Sequence, residues 1–260
     1  MRSIAWPRAR RKLRLLRPLE RKKGPGEPDS AYGATYSIPV VIKVRRILLV
    51  ALLPVLAVVP ANGASLDGIE ATLLHGAPAI RPAALRAALT AWNDLQSRGE
   101  ISRPLLTVMD YGLPSTAKRM WVFDLASGKV LYHELVAHGR NSGEDATQSF
   151  SNEAGSLMTS LGAFVTGETY TGRNGYSLRL RGMEPGVNDR AEERAIVVHG
   201  APYVSEEVAL KLGRLGRSYG CPAVRPAIAR SLIDELKDRT LLYAWHPSME
   251  AAPATLLATR

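Results

Sequence analysis

Between Leu105 and Gly200 the chain is broken again and again by turn-forming residues. The stretches PLLTVMDYG, KRMWVFDL, GKVLYHELVAHG, SLGAFVTGETY, GYSLRLRG and RAIVVHG are short, rich in β-branched and aromatic residues, and separated by Gly, Asn, Asp and Ser. Segments of that composition read as strands, because branched and ring side chains pack well on a pleated surface while the residues between them favour turns. DLASGKV, at 124–130, reads as a hairpin turn. Many short strands joined by glycine-rich turns point to a β-sandwich or barrel, not to a parallel α/β sheet. The expected class is therefore mainly β, a sandwich with a few peripheral helices.

Three helices are expected around those strands. RPAALRAALTAWNDLQSRG, starting at Arg81, sets Leu85, Leu89 or Ala88, Trp92 and Leu95 on one stripe, with Pro82 in the first turn and Gly99 at the stop. Ser205 caps EEVALKLGRLG and puts Glu206 and Glu207 in the first turn, where the helix dipole favours negative charge. Pro226 opens PAIARSLIDELKDRT, with Ile228, Leu232, Ile233 and Leu236 on its apolar face, and TLLYAW then reads as a closing strand.

A net charge of +10 would suit a protein that binds nucleic acid or a membrane surface, but its placement argues against this. Residues 1–46 hold 13 Lys and Arg against Glu20, Glu27 and Asp29, residues 47–64 are uncharged, and beyond them 21 basic side chains are matched by 21 acidic ones. The main body is neutral, so no nucleic-acid partner is expected. KVRRILLVALLPVLAVVPANGAS, residues 43–65, combines a positive flank, an apolar run from Ile47 to Pro60 and small residues after it. That is the layout of a secretory signal peptide, its core shorter than the ~20 residues of a membrane span. No cysteine follows the run, so no lipoprotein anchor is expected. The expected organisation is an extension over 1–39 outside the folded protein, with translation starting near Val40, Val41 or Val44. A signal segment over 40–64, an N-terminal helical region over 65–100, the main domain over 101–248 and a tail over 249–260 follow. The expected location is the periplasm or cell envelope.

The chain has one cysteine, Cys221, in GRSYGCPAVRP. Exported proteins usually pair their cysteines, so an odd one is a candidate reactive thiol. Free cysteines are more often inert and buried, yet Ser218, Tyr219 and Gly220 before this one and Pro222 after it make a tight polar turn. A working thiol needs a base or cation nearby and amides that favour negative charge. The amides of Gly220 and Cys221, ahead of the helix at Pro226, suit an oxyanion hole. Of the five histidines, His199 is the leading base, since it ends the strand RAIVVHG and Gly200 follows, which puts the ring at a loop margin. His138, in LVAHGRNSG, has the same form and ranks second, as an organiser of the loops or a substrate contact. His133, His75 and His246 are expected to be structural or solvated. Zinc sites use several thiolates at close spacing, so no metal and no cofactor are expected.

The stretch VVHGAPYVSEEVALKLGRLGRSYGCPAVRP resembles the catalytic signature of the L,D-transpeptidases of bacterial cell walls, a His-Gly followed by a Ser/Thr-x-Gly-Cys turn. The likeness extends upstream through AHGRNSG, FSNEAGSLMTSLGAFVTGETYTGRNGYSLRLRGMEPGVND and ERAIVVHG. Over roughly Leu105–Trp245 the chain is similar to murein L,D-transpeptidase catalytic domains. The resemblance implies a YkuD-like β-sandwich and ping-pong acyl transfer on peptidoglycan stem peptides. Cys221 would attack the carbonyl joining the third stem residue to a terminal D-Ala, and the thioester would pass to a diaminopimelate amine, another amine or water. It makes His199 the base, the Gly220 and Cys221 amides the oxyanion donors, and Ser218 an organiser of the turn or of the imidazole. Arg225 becomes a bidentate reader of a substrate carboxylate, with Tyr219, His138 and Gly200 as further substrate contacts. Two features depart from the signature: Tyr219 stands where the family has histidine, and the helix from Ser205 lengthens the gap between His199 and Ser218. Two other readings stay open on the residues alone, a different exported cysteine acyltransferase or peptidase and a non-catalytic wall-binding domain.

Overall fold

The structure, a computed structural model, describes residues 66–250. The expected extension, signal segment and most of the tail lie outside the described residues. The strands are β1 (Leu105–Asp110), β2 (Met120–Asp124), β3 (Lys129–Glu134), β4 (Gly162–Gly172), β5 (Gly175–Gly182), β6 (Val197–Gly200), β7 (Ala223–Val224) and β8 (Leu241–Trp245). The helices are α1 (Leu66–Gly76), α2 (Pro82–Ser97), α3 (Glu206–Leu212) and α4 (Pro226–Leu236). All eight strands belong to one mixed sheet, in the order β3-β2-β1-β8-β4-β5-β6-β7.

The mainly β class with peripheral helices is what the structure shows. It is built as a single sheet bent around on itself. Strand twist curls any long sheet, and register shifts at Val122/Phe123 in β2 and at Thr166/Thr169 in β4 add to the bend. Past β3 the chain turns back to the far edge, where the Ala137 amide donates to the Ala223 carbonyl at 2.9 Å and Gly139 bridges to Ser218. The sheet is thereby nearly closed, like a barrel.

Alternation along the strands gives the interior two large cores, beside a smaller cluster around Leu135, Val204 and Leu215. One face carries Leu106, Val108, Trp121, Phe123, Tyr243 and Trp245, covered by Leu85, Leu89 and Leu95 of α2 and Leu73 of α1. The other carries Met109, Val122, Phe164, Leu178 and Leu242, filled by Leu232, Ile233 and Leu236 of α4. The strand TLLYAW closes the chain order, as expected, and lies inside the sheet between β1 and β4. β8 runs parallel to β1 and antiparallel to β4. Its Leu241, Tyr243 and Trp245 meet one core and Leu242 and Ala244 the other, so only a position between neighbours satisfies both its faces and its backbone. Helix α3 starts at the expected cap, where the Val208 amide donates to Ser205 Oγ at 3.1 Å.

Candidate active site

β6 and β7 run parallel, pairing His199 with Ala223 and Gly200 with Val224. Cys221 lies two residues before Ala223, so the thiol and the imidazole emerge from adjacent strands at one edge of the sheet. Gly200 is required there: a Cβ would stand 2.8 Å from that of Ala229, so its absence lets α4 pack directly against the strand that carries His199. Both Cys221 and His199 line a cleft of about 520 Å³, which Arg173, Asn174, Arg217 and Tyr219 also border. No acidic side chain lines it. A larger groove of about 790 Å³ runs along α2 past Ala87, Ala91, Met183 and Tyr243, but it holds neither cysteine nor histidine.

The turn that presents the thiol is tightly specified. Gly220 has φ +120°, and a Cβ on it would stand 2.6 Å from the carbonyl oxygen of Met158. Ser218 Oγ donates to the Cys221 carbonyl at 2.6 Å and accepts the Gly220 amide at 3.1 Å. Ser218 therefore organises the turn; these bonds are not to the imidazole. They also commit the Gly220 amide, one of the two expected oxyanion donors, to a hydroxyl. The other, the Cys221 amide, faces its own sulfur.

Cys221 is buried, and its thiol donates to the Ala195 carbonyl at 3.7 Å. Ala195 holds a left-handed φ of 53°, uncommon for a residue with a Cβ, next to the candidate nucleophile. Burial pushes the thiol pKa up, against the opposing pull of the Val197 amide, the Arg194 charge and the Cys221 amide. Burial likewise pushes His199 down, partly offset by the Gly200 carbonyl. At neutral pH the pair thus rests as thiol and neutral imidazole. His199 Nδ1 lies 3.0 Å from the Gly200 carbonyl oxygen. That contact needs the proton on Nδ1 and leaves the Nε2 lone pair free to act as a base.

Two expected substrate contacts are placed elsewhere. His138 is 1% exposed and is not among the residues lining the cleft. Its Nδ1 accepts from Arg119 Nη2 at 2.7 Å and its Nε2 donates to the Gly143 carbonyl at 3.3 Å. Burial and the Arg119 charge push its pKa down to about 4. Arg119 is itself fully buried without a carboxylate, and its remaining N–H groups go to the carbonyls of Val136 and Leu113 and to Thr147 Oγ1. The His138 carbonyl accepts the Ser218 amide at 2.9 Å, so this network props the turn from behind. Arg225, expected to read a carboxylate of the substrate, already holds one of the protein: Nε and Nη2 reach Glu134 at 2.8 and 2.6 Å. Tyr219, by contrast, borders the cleft and is 65% exposed.

Sequence reasoning missed Arg173, Asn174, Tyr203 and Arg217, which border the cleft, and Arg194 and Arg119, which brace it. Arg173 and Asn174 form the two-residue tip of the β4–β5 hairpin, flanked by the paired glycines Gly172 and Gly175. The string GRNG signals that turn, but nothing in it signals what the turn stands beside. Arg194 donates to the carbonyls of Ser151 and Met158 and to the hydroxyls of Ser156 and Ser160, tying the 151–160 loop down next to Gly220. Among the described residues no group of three or more His, Cys, Asp or Glu could hold a metal ion.

Among curated proteins none matches the chain. Solved structures that resemble it include an L,D-transpeptidase from Mycobacterium smegmatis, at 13% identity and a TM-score of 0.34, covering 55% of this chain and 68% of that one. L,D-transpeptidase LdtMt1 in complex with imipenem is similar at 15% identity and a TM-score of 0.33, covering 55% and 69%. The helical cell shape determining protein Pgp2 from Campylobacter jejuni is similar at 14% identity and a TM-score of 0.33, covering 55% of this chain and 44% of that one. The chain thus spans less than half the length of Pgp2. A family model described as L,D-transpeptidase catalytic domain matches residues 77–245, the whole of the sheet and the cleft, and the chain belongs to that family.

Proposed function

We propose that the protein is a cysteine-dependent L,D-transpeptidase that acts on peptidoglycan stem peptides, exported to the periplasm or cell envelope. The observation that carries the reading is the pairing of β6 with β7, which sets Cys221 and His199 in one cleft with His199 Nε2 free. The substrate class follows from the family. The location rests on the apolar segment before the folded domain.

The chemistry runs as two acyl transfers. The stem peptide places the carbonyl that precedes its terminal D-Ala against the sulfur. His199 Nε2 takes the thiol proton as the S–C bond forms, so that a thiol held neutral at rest becomes a nucleophile only with substrate in place. The Cys221 amide, beside the sulfur, receives the developing oxyanion. On collapse the C–N bond breaks, and His199 returns its proton to the departing amine. An acceptor amine then attacks the thioester, losing a proton to His199 as the C–S bond breaks and the thiol is restored.

The test is intact-mass spectrometry of the purified full chain incubated with disaccharide-tetrapeptide, beside Cys221→Ala and His199→Ala. The expected result is an adduct of the tripeptide-acyl mass, absent in Cys221→Ala and slowed in His199→Ala. No adduct, no released D-Ala and a thiol inert to alkylation in the folded protein would leave a non-catalytic wall-binding domain as the reading.

A further inference from the structure

Of the two arginines that line the cleft, Arg217 is already spent on the protein and Arg173 is not, and the neighbouring Arg194 and Arg225 are engaged as well. Arg225 is closed on Glu134. Arg217 donates to the carbonyls of Arg140 and Gly143 at 3.2 and 3.0 Å and to Glu144 at 2.6 Å. Arg194 is consumed by the 151–160 loop. Arg173, exposed at the hairpin tip, has no hydrogen-bond, ion-pair or ring partner among the described residues, and it borders the cleft. Because no acidic side chain lines that cleft, an anionic group entering it meets uncompensated positive charge.

The strand register says which part of a substrate Arg173 faces. β5 pairs with β6 so that Ser177 lies opposite His199. The tip at Arg173 and Asn174 therefore rises on the side of the cleft held by the base. Resting on the reaction proposed above, that side is the amine's: His199 gives its proton to the nitrogen that leaves and takes one from the nitrogen that enters. In a terminal α-amino acid residue the carboxylate sits one carbon from that nitrogen. We infer that Arg173, with Asn174 beside it, reads the α-carboxylate next to the reacting nitrogen, both on the departing D-amino acid and on an entering amino acid amine. The carboxylate-reading role that the sequence suggested for Arg225 thus falls to the β4–β5 tip. The donor must then end in a free carboxylate directly after the scissile bond, and α-amino acid amines are preferred acceptors over amines without the acid.

The experiment compares kcat/KM of the full chain and of Arg173→Ala and Arg173→Lys on two donors, a disaccharide-tetrapeptide ending in D-Ala and its C-terminal carboxamide. Acceptor use is compared with D-methionine and D-methioninamide. Wild type is expected to favour the carboxylate donor by about tenfold or more, the scale of a charge-assisted hydrogen bond. Arg173→Ala lowers kcat/KM for the carboxylate donor far more than for the carboxamide, so that the two converge, while Arg173→Lys retains part of the preference. The inference is overturned if wild type does not discriminate, or if Arg173→Ala discriminates as wild type does. Absence of any thioester from either donor with wild type is a different failure: it removes the transpeptidase reading, and this inference with it.

Discussion

Replacing Arg225 by alanine is expected to weaken the fold and leave substrate affinity unchanged. The Arg225–Glu134 pair is bidentate, with Nε–H and Nη2–H on the two carboxylate oxygens at 2.8 and 2.6 Å. The Glu134 side chain is only 10% exposed and that of Arg225 27%. Fully exposed pairs contribute about 0–1 kcal/mol, whereas removing one partner of a buried pair costs about 3–5 kcal/mol because the other charge is stranded. This pair lies between those limits, and solvent reaching the arginine reduces the loss to about 2 kcal/mol. In a domain of this size that lowers the melting temperature by about 4–8 °C. Thermal unfolding followed by circular dichroism measures the loss, and steady-state kinetics on the tetrapeptide donor measures KM. Arg225→Ala combined with Glu134→Gln should recover part of the stability, because the stranded charge is gone. A rise in KM of about tenfold with an unchanged melting temperature would show that Arg225 reaches the substrate, and the reasoning from its partner would be wrong.

Gly220→Ala forces a Cβ against the Met158 carbonyl at a positive φ, so unfolding free energy should fall by about 1–3 kcal/mol and thioester formation should be lost together. Wild-type stability with full activity would refute that account of the turn. His138 has a folded pKa of about 4 against an ordinary 6.5, so its contribution is complete above about 6.5 and is lost as pH falls toward 4. Urea titrations across that window should show up to about 3 kcal/mol of erosion attributable to this ring, and His138→Gln should flatten the slope. The kcat/KM profile should carry an acid limb below 6.5, where His199 becomes protonated, and alkylation of Cys221 in the free protein should accelerate only above the ordinary thiol range. An acid limb at or above 6.5, or rapid alkylation at pH 6, would mean the resting pair is thiolate and imidazolium.

Neutral resting partners reconcile the burial of Cys221 with its proposed use. A thiolate would have to be held in an apolar surround against its desolvation cost, whereas a thiol donating to Ala195 carries no charge until a carbonyl arrives. The left-handed φ of Ala195 is the local strain that aims this acceptor at the sulfur.

What the sequence determined by itself was local. The alternation and turn residues of 105–200 were enough for a mainly β chain, Pro82, Ser205 and Pro226 marked three helix starts within a residue, and the His-Gly and Ser-x-Gly-Cys strings pointed to Cys221 and His199, which line one cleft. Each of these signals is carried by neighbours along the chain. Tertiary structure alone decided which side chains were left free. Arg225 looked available four residues after the thiol, but strand curvature brings Glu134 to it from 91 positions away. His138 shares the strand–His–Gly form of His199, yet a fully buried Arg119 claims its ring. TLLYAW became a central strand because both of its faces found a core, and Arg173 became the cleft's unpaired cation because the register of β5 on β6 raised its hairpin beside His199. Pairings set by long-range register leave no trace in the spacing of a sequence, since the partner's position is fixed only when the sheet closes.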